Sequence, residues 1–495
     1  MDRRSRAVRM ANVSTIEGIR VSADHWIGGI RVPSADMFLD VSPIDREMLA
    51  MVARGGEREV DEAVAAARSA FETWSSTPPE RRAAVLHRIG ELIESRVNEL
   101  AIVETTDNGS LLRSMQRSVM PRVAVNFHFF ADRLLELGAE DLDTRGHRNH
   151  VTWDPAGVAA VVTPWNAPLM LATWRVAPAL AAGDTVVLKP PEWAPLTASM
   201  LCDIAREAGL PDGALNVVQG IGEEAGAALV RHPGVDRVAF TGSVETGRSV
   251  AAAAAANLTP VSLELGGKSP FLVFADADLD AAVAQAVNQY DNAGQVCLAG
   301  TRLLVEQSVY ESFLDRFLER ASALRQGDPR REDTDLGPLI TQEHFERVDG
   351  FVQRAKAQGA RALIGGGPNE ELGGWYYRPT LFVDAPPGSE ILTREVFGPV
   401  LTLQTFENED EAVRMANDTD YGLAAIVYTG DPERAERVSA RLVAGTVWVN
   451  CFYVRDLRAP FGGSRNSGIG REGGTWSFDF YADVKNVCTA PWERS

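Results

Sequence analysis

One cysteine of the chain lies in a context suited to nucleophilic chemistry. Cys297 follows a stretch of small and polar residues, Asn292-Ala293-Gly294, that ends a predicted helix. Most single cysteines are small buried apolar residues, and no histidine stands close to Cys297 in the sequence to form a cysteine–histidine pair. Gly294, however, breaks the helix and leaves the thiol where a helix and a strand meet. Cys297 is therefore a candidate nucleophile.

Two further polar side chains follow apolar segments. Glu264 stands at the end of the predicted strand 260–265 and precedes Gly266-Gly267-Lys268. An acid in this place is either a solvated turn residue or a general base at the open end of a parallel strand. Asn166 follows Pro164-Trp165, and an asparagine in such a loop is most often a turn former. Its alternative role is to donate an amide hydrogen bond to an oxyanion.

A third segment suits a nucleotide phosphate. Phe240-Thr241-Gly242-Ser243 joins a predicted strand to a predicted helix, and a small hydroxyl residue at a helix N-terminus favours a phosphate. Helix capping by Ser243 alone explains the same residues. The dinucleotide pattern GxGxxG does not follow any predicted strand, and Gly220-Ile221-Gly222 lacks its third glycine.

These residues are positioned by segments of alternating type. From Asp61 to about Arg133 the apolar residues recur at helical spacing, which predicts two or three helices. From about 149 to 266 apolar runs alternate with helical segments, which predicts a parallel sheet covered on both faces. A second alternating series over 270–449 predicts a second α/β domain. Ligands bind at the carboxyl ends of such strands, so the candidate residues are expected there.

The composition excludes several classes of protein. The chain has 495 residues, 49 Lys+Arg, 68 Asp+Glu and a net charge of −19. Its length predicts two or three domains, and its acidity disfavours nucleic acid and anionic membranes as partners. The four scattered cysteines fit neither a disulfide framework nor a CxxC metal site, so no metal is expected. No apolar segment follows the basic residues at 1–6, which predicts a cytoplasmic protein.

Seven segments together resemble the NAD(P)-dependent aldehyde dehydrogenase superfamily. They occur in the order and spacing of that family across nearly the whole chain. The segments are Thr163-Pro164-Trp165-Asn166, Lys189-Pro190-Pro191-Glu192, Phe240-Thr241-Gly242-Ser243, Leu263-Glu264-Leu265-Gly266-Gly267-Lys268, Gly294-Gln295-Val296-Cys297, Glu395-Val396-Phe397-Gly398-Pro399, and Pro460-Phe461-Gly462-Gly463 with Ser467-Gly468-Ile469-Gly470-Arg471-Glu472. The resemblance implies an α/β fold with a Rossmann-type cofactor domain, an α/β catalytic domain and a small β oligomerisation element.

The resemblance also implies a reaction, the oxidation of an aldehyde to a carboxylic acid. Cys297 is the implied nucleophile, Asn166 and the Cys297 backbone N–H hold the oxyanion, and Glu264 is the base for thioester hydrolysis. NAD is the implied cofactor, since Glu192 would repel a 2′-phosphate. The implied cofactor contacts are Thr163, Pro164, Trp165, Lys189, Glu192, Gly222, Thr241, Gly242, Ser243, Glu395 and Phe397. Glu472 is implied as a proton relay or as a structural acid paired with an arginine such as Arg471.

Two positions depart from the family pattern. Arg175 stands where many members carry lysine behind the oxyanion asparagine, and Ser464-Arg465 replaces a more usual aromatic-lysine pair. Only four of the 49 basic residues are lysine, and arginine for lysine fits this bias.

The segment before Phe461 bears on the substrate. It contains Arg455 and Arg458, where a general aldehyde enzyme would be mostly apolar. It resembles the branch that oxidises 2-hydroxymuconic, 2-aminomuconic and 5-carboxymethyl-2-hydroxymuconic semialdehydes. We expect Arg458, with Arg122, to clamp a substrate carboxylate, and Trp174 and Phe461 to line the same pocket. The alternatives are an Arg455–Asp456 surface pair and an enzyme for aromatic or aliphatic aldehydes in general.

The resemblance implies domain limits as well. The NAD-binding domain spans 1–133 and 153–266, the catalytic domain 267–466, and the oligomerisation element 134–152 and 467–495. The alternating segment Phe478–Val484 predicts a C-terminal strand with an unpaired edge, so a homodimer or homotetramer is expected.

Two other enzyme classes share some of these residues. A cysteine thioester hydrolase would use Cys297 and Glu264 but not the nucleotide segments around Lys189 and Glu395. A CoA-acylating dehydrogenase passes its thioester to a thiol, so the presence of Glu264 favours hydrolysis.

Overall fold

The computed structural model describes residues 12–491. The basic residues at 1–6, the start of the expected NAD-binding domain and the last four residues of the oligomerisation element lie outside this range. The described chain begins with short strands that the helical pattern did not predict. They are β1 (Val13–Ile16), β2 (Ile19–Ser22), β3 (His25–Ile27), β4 (Ile30–Val32), β5 (Met37–Val41) and β6 (Met48–Ala53).

The helical region is larger than predicted, since it holds four long helices and one short helix. Apolar residues at a spacing of three and four, such as Val60, Val64 and Ala67, form the buried face of the first helix. The helices are α1 (Glu57–Ser75), α2 (Pro79–Glu94), α3 (Val97–Asn108), α4 (Leu112–Ser114) and α5 (Met120–Glu136).

Strands and helices alternate in the next segment, as predicted. The elements are β7 (Glu140–Thr144), β8 (His147–Pro155), β9 (Val158–Val162), α6 (Pro168–Ala182), β10 (Thr185–Lys189), α7 (Leu196–Glu207), β11 (Leu215–Val217), α8 (Ala227–Arg231), β12 (Arg237–Gly242), α9 (Val244–Ala255) and β13 (Val261–Leu265).

The second alternating series is also present, with the additional strand β17. Its elements and the C-terminal ones are β14 (Pro270–Val273), α10 (Leu279–Val287), β15 (Arg302–Glu306), α11 (Tyr310–Ser322), α12 (Gln342–Ala357), β16 (Arg361–Ile364), β17 (Thr380–Val383), α13 (Glu390–Thr393), β18 (Val400–Phe406), α14 (Glu409–Asn417), β19 (Ala424–Tyr428), α15 (Pro432–Arg441), β20 (Thr446–Val449), β21 (Gly468–Ile469), α16 (Trp476–Tyr481) and β22 (Ala482–Thr489).

Two large sheets organise the chain. The first has the order β21-β13-β12-β9-β10-β11-β3-β4, with parallel pairing from β13 to β11. The second has the order β16-β17-β18-β15-β14-β19-β20 and is parallel except for β16. Strands such as β9 and β19 are buried along their whole length, which explains their uninterrupted apolar sequences. The chain therefore has the predicted α/β architecture.

A three-stranded antiparallel sheet, β22-β8-β7, stands apart from the two large ones. The predicted C-terminal strand starts later than expected, because residues 478–481 belong to α16. Phe478 and Tyr481 are both buried, and Phe478 packs at 6.2 Å against Phe130 of α5. Burial of two aromatic residues three positions apart favours a helical turn over the apparent alternation. Strand β21 lies within 467–495, the segment predicted to belong to the oligomerisation element. It pairs instead with β13 in the first large sheet.

No helix within 12–491 is both long and apolar enough to cross a bilayer. The same residues contain no cluster of three or more His, Cys, Asp or Glu side chains placed to hold a metal ion.

Candidate active site

Four predicted site residues lie at one edge of the first large sheet. Lys189 ends β10, Thr241 and Glu264 stand near the ends of β12 and β13, and Thr163 directly follows β9. These strands are parallel neighbours in the order β13-β12-β9-β10, so their carboxyl ends share one edge. This is the edge at which α/β sheets bind ligands.

The segment before Cys297 has an unusual backbone. Asn292, Ala293 and Gly294 have φ values of 50°, 54° and 68°, in the left-handed region that non-glycine residues seldom adopt. The Asn292 side chain stabilises this turn, because its Nδ2 donates to the Asn166 carbonyl oxygen at 3.1 Å and its Oδ1 accepts from Ser110 Oγ at 2.9 Å. The approach of the chain to the cysteine is thus fixed by contacts from two distant segments.

The Asn166 amide is oriented by the same loop. Its Nδ2 donates one hydrogen to the Gln295 carbonyl oxygen at 2.9 Å, which leaves the second hydrogen for another acceptor. The Gln295 side chain is itself fixed, because its Oε1 accepts from the Ile340 backbone N–H at 3.0 Å. Asn166 and the cysteine loop therefore form one hydrogen-bonded unit.

Two glycines allow the loop after Glu264 to approach the cysteine. A Cβ on Gly267 would lie 2.6 Å from the Cys297 carbonyl oxygen, and one on Gly266 would lie 2.0 Å from a carboxylate oxygen of Glu395. The Gly267 backbone N–H also donates to Glu395 at 3.0 Å. Three chain segments thus pack together at distances that only glycine permits.

The electrostatics of this centre disfavour negative charge. Burial raises the pKa of the Cys297 thiol to about 12, and the Glu395 and Glu264 carboxylates add to the effect. Burial and the nearby charge of Glu472 raise the pKa of Glu264 well above its ordinary value. Both Glu264 oxygens are buried without a hydrogen-bond partner among the described residues. The Cys297 thiol must lose a proton before it can act as a nucleophile, and the Glu264 carboxylate has a high affinity for protons. The two groups therefore suit base-assisted nucleophilic chemistry.

Glu472 is close enough for its charge to act on Glu264, and it has three partners. Arg175 is 2.8 Å from one of its oxygens, and the Trp174 indole and the Ser262 hydroxyl donate to it at 2.8 and 3.0 Å. Arg175 and Glu472 are both buried, so they form a buried ion pair. The partner of Glu472 is therefore Arg175 and not Arg471, whose guanidinium donates to the Gly463 carbonyl oxygen at 2.7 Å.

The predicted nucleotide residues form a second group at the sheet edge. Lys189 Nζ donates to Glu192 at 2.6 Å, and the Gly222 N–H approaches the other Glu192 oxygen at 3.4 Å. Burial opposes charge on Glu192, but Lys189 holds the pKa of this carboxyl below its ordinary value. Ser243 caps α9 by accepting from the Thr246 N–H at 3.1 Å, which confirms the capping interpretation. The Thr163 hydroxyl is buried and has no partner among the described residues.

Sequence analysis missed two side chains on α12 that fix the segment Glu395–Phe397. Arg347 donates to the Glu395 carbonyl oxygen at 2.9 Å and also to that of Val396, and His344 Nε2 donates to that of Phe397 at 2.7 Å. Burial lowers the pKa of His344 to about 4, so the ring is neutral. The two residues lie some 50 positions before their partners, and no local sequence signal connects them.

The Trp165 ring completes this group of contacts. It packs edge-on against His344 at 5.0 Å and against Phe397 at 5.2 Å. Phe397 has a φ of 60°, an uncommon value for a bulky residue, and these contacts hold it there.

Three of the residues predicted to bind substrate, Arg122, Trp174 and Phe461, lie in one group, and the second arginine of this group is Arg455. The Arg455 guanidinium lies 3.8 Å from the Phe461 ring centre and 5.1 Å from that of Trp174. The Arg122 guanidinium approaches the same Trp174 ring at 5.4 Å. The two arginines therefore converge on one indole.

The predicted position of Arg458 in this pocket is wrong. Its side chain is 80% exposed and forms an ion pair with Asp456, to which its Nε donates at 3.0 Å. Two arginines three positions apart in an irregular segment point in different directions, and the Asp456 pair keeps Arg458 at the surface. The Arg455–Asp456 surface pair considered as an alternative is wrong for the same reason.

The two converging arginines have no acidic partner within 4 Å among the described residues. Burial and the charge of Arg455 lower the pKa of Arg122 to about 10, and burial also lowers the pKa of Arg455. The Arg455 Nη2 is buried without a hydrogen-bond partner in the described chain. The two guanidinium groups are half-buried and repel each other, and Glu264 and Glu472 act on Arg455 only from beyond 4 Å, so this pocket is a candidate anion site.

Comparison with known proteins bears on this arrangement. The sequence profile of the aldehyde dehydrogenase family matches residues 32–487. The chain is 42% identical to 2-hydroxymuconic semialdehyde dehydrogenase of Pseudomonas sp. (strain CF600), over 94% of this chain and 98% of that protein. It is 43% identical to 5-carboxymethyl-2-hydroxymuconate semialdehyde dehydrogenase of Escherichia coli, over 92% and 98%.

A solved structure resembles the whole chain. Indole-3-acetaldehyde dehydrogenase of P. syringae, crystallised with NAD+ and IAA, superposes with a TM-score of 0.94 at 38% identity, covering 96% of this chain and 98% of that one. The chain therefore belongs to the aldehyde dehydrogenase family and is an aldehyde oxidoreductase with the fold of that family.

Proposed function

We propose that this enzyme oxidises an aldehyde that also carries a carboxylate, with NAD as hydride acceptor and a carboxylic acid as product. The observation that carries the substrate proposal is the convergence of Arg122 and Arg455 on Trp174, with no acidic partner within 4 Å in the described chain. A substrate carboxylate between the two guanidinium groups supplies the missing counter-charge. Arginine forks bind carboxylates through paired hydrogen bonds, which also fix the direction of the ligand.

The names of the relatives support this choice. The Pseudomonas and Escherichia coli proteins are dehydrogenases of hydroxymuconic semialdehydes, whose substrates carry carboxylate groups. Their substrates differ from each other, so the identity to both favours the class of substrate over any single compound. We propose 2-hydroxymuconic semialdehyde as the representative of this class.

The residues at the sheet edge fit a dinucleotide. Gly222 and Gly226 lie beside the Lys189–Glu192 pair, and their lack of side chains leaves space there. A Cβ on Gly222 would lie 3.6 Å from a carboxylate oxygen of Glu192. The Thr163 hydroxyl is an unused buried polar group at the same edge. We propose that the adenosine ribose lies against Lys189 and Glu192, where the carboxylate accepts from the ribose hydroxyls and repels a 2′-phosphate. NAD, when bound, supplies the hydride acceptor.

The remaining predicted contacts extend this site towards the cysteine. Gly222 lies on the adenine side, the diphosphate lies near the N-terminus of α9, and the nicotinamide ribose lies at the segment held by α12. The proposed contacts in this direction are Thr163, Pro164, Trp165, Thr241, Gly242, Ser243, Glu395 and Phe397.

Cys297 begins the proposed reaction. The thiol releases its proton to solvent and its sulfur attacks the aldehyde carbon, which gives a thiohemiacetal whose oxygen carries the negative charge. The Cys297 backbone N–H and the free hydrogen of the Asn166 amide hold this oxygen. One such donor typically contributes about 10²- to 10³-fold to the rate. Loss of the hydride converts the thiohemiacetal to a thioester on the cysteine.

Glu264 completes the proposed cycle as general base. It takes a proton from the water that attacks the thioester, the acid product leaves, and the proton returns to the cysteine sulfur. The raised pKa of Glu264 brings its proton affinity closer to what a base near neutral pH needs. Glu472 is held by Arg175 in a buried ion pair and its charge acts on Glu264, so we propose that it tunes Glu264 by charge and is not a proton relay.

We also propose that different segments of the chain have different functions. Residues 1–133 and 153–266 bind NAD, 267–466 carry the cysteine, and 134–152 with the C-terminal strand mediate assembly. The three-stranded sheet exposes Leu142, Val484 and Val487, and neither of its edges is paired by another strand of residues 12–491, which favours pairing with a second copy in a homodimer or homotetramer.

The test is NADH formation at 340 nm with purified enzyme. The proposal predicts that kcat/KM for 2-hydroxymuconic semialdehyde exceeds that for benzaldehyde and hexanal, with NAD preferred over NADP. Equal or faster oxidation of the two neutral aldehydes would overturn the substrate proposal and favour a broad aldehyde dehydrogenase. Activity with NADP alone would overturn the role of Glu192.

A further inference from the structure

A buried asparagine stands next to the anion site and no step of the reaction uses it. Asn126 lies on α5, one turn after Arg122, and its side chain is completely buried. Its Oδ1 accepts a hydrogen bond from Arg122 Nε at 2.9 Å. Its Nδ2 donates to the Met170 carbonyl oxygen at 3.2 Å and to the Thr173 hydroxyl at 3.1 Å, both on α6.

These three bonds determine which way the amide points. Both hydrogens of Nδ2 are used by acceptors on α6, and the oxygen faces the guanidinium. The reversed amide would place its hydrogens against the Arg122 N–H groups and its oxygen against a carbonyl oxygen. The Asn126 oxygen is therefore a fixed acceptor, and α6, which also carries Trp174, fixes it.

Arg122 needs such an anchor because Arg455 repels it. The two guanidinium groups approach the same indole, and no acid within 4 Å holds either of them among the described residues. A free arginine side chain has several rotamers of similar energy, so repulsion would move it towards solvent. The bond to Asn126 uses Nε and leaves both terminal nitrogens of Arg122 for a ligand.

We propose that Asn126 is a positioning residue for substrate recognition, which holds Arg122 in the geometry that binds the substrate carboxylate. This inference rests on the proposed function. An amide suits the task better than an acid because it accepts a hydrogen bond without cancelling the charge of the guanidinium. An aspartate would fix Arg122 equally well but would occupy the site with its own negative charge.

The test compares Asn126→Asp, Asn126→Leu and the wild type with two substrates and one inhibitor. The substrates are 2-hydroxymuconic semialdehyde and hexanal, and the inhibitor is adipate, a dicarboxylate without an aldehyde. For Asn126→Asp we expect the KM of the semialdehyde and the Ki of adipate to rise about 10- to 100-fold, as for the loss of a charge-assisted contact. The kcat for the semialdehyde should fall much less, and Asn126→Leu should give a smaller rise in both constants.

Thr173→Val is the second variant, chosen because it keeps the shape of the core. It removes one of the two acceptors that orient the amide, and we expect a rise of about two- to fivefold in the same two constants. Equal increases of KM for both aldehydes, or unchanged constants in all variants, would overturn the positioning role. A wild-type enzyme that shows no preference for the semialdehyde contradicts instead the proposed function, so the two failures are distinguishable.

Discussion

The two ends of the candidate site are built in different ways. The reaction end, around Cys297, Asn166 and Glu264, consists of one strand end and two loops that are fixed by glycine packing and by hydrogen bonds to the backbone. The recognition end, around Arg122 and Arg455, consists of side chains from a helix and an irregular loop. Its two charges have no acidic partner within 4 Å among the described residues, whereas the reaction end keeps its groups neutral or paired.

This difference predicts that one end determines the rate of the reaction and the other end determines the choice of aldehyde. The reaction end holds its groups in place before any ligand arrives, as electrostatic catalysis requires. Under the proposed function, a ligand carboxylate supplies the close counter-charge that the recognition end does not have among the described residues. Substitutions at the reaction end should therefore slow all aldehydes alike, and substitutions at the recognition end should change which aldehyde is preferred.

The largest effect is expected at the cysteine. Replacing Cys297 by serine retains the shape but removes the thiol, and kcat/KM should fall by about 10⁴-fold or more for every aldehyde. NADH formation at 340 nm measures this loss. Cys451→Ser is the matched control, since Cys451 is also a free and partly buried cysteine. Comparable activity in the two variants would contradict the proposed nucleophile.

The next largest effect is expected at the oxyanion donor. Asn166→Ala removes one hydrogen bond to the thiohemiacetal oxygen, and kcat should fall by about 10²- to 10³-fold. The ratio of kcat/KM for 2-hydroxymuconic semialdehyde to that for hexanal should remain within about threefold, because the oxygen is common to both substrates. A loss confined to one aldehyde would place Asn166 at the recognition end instead.

A smaller effect on the reaction is expected from Glu472→Gln, through pH. Without the charge of Glu472, the pKa of Glu264 should fall, since that charge and burial raise it. A base works in its deprotonated form, so the acidic limb of the kcat/KM profile should move to lower pH. An unchanged limb would contradict the charge coupling.

The same variant should also be less stable. It leaves Arg175 buried and unpaired, and the loss of one partner of a buried ion pair typically costs about 3–5 kcal/mol in the free energy of unfolding. Denaturant unfolding measures this cost, and the double variant Glu472→Gln with Arg175→Met should recover part of it.

The sequence was sufficient to predict that the segments of Asn166, Glu264 and Cys297 come together, because these residues stand next to strand ends and glycines. Glu264 and Cys297 are each adjacent to glycine segments that mark tight turns, and alternating elements indicate a common sheet edge. The α/β sheets followed from uninterrupted apolar runs for the same reason.

The recognition end was predicted only in part. Which of Arg455 and Arg458 faces inwards depends on a loop without periodicity, and the deciding contact is the Asp456–Arg458 pair. The partner of Glu472 was also missed, because Arg175 is about 300 residues away and only the packing of α6 brings it close. The helical turn at Phe478–Tyr481 was missed because alternation over few residues fits a strand as well as a buried turn.

The central claim is that Arg455 selects carboxylate-bearing aldehydes, and a matched pair of variants tests it most directly. Arg455→Met and Arg458→Met remove the same charge from positions three residues apart, and the measurement is the ratio of kcat/KM for 2-hydroxymuconic semialdehyde to that for hexanal. We predict that this ratio falls by about 10- to 100-fold in Arg455→Met, as expected for a buried charge-assisted contact, and by less than about twofold in Arg458→Met. A ratio that is unchanged in Arg455→Met, or that falls mainly in Arg458→Met, would contradict the account.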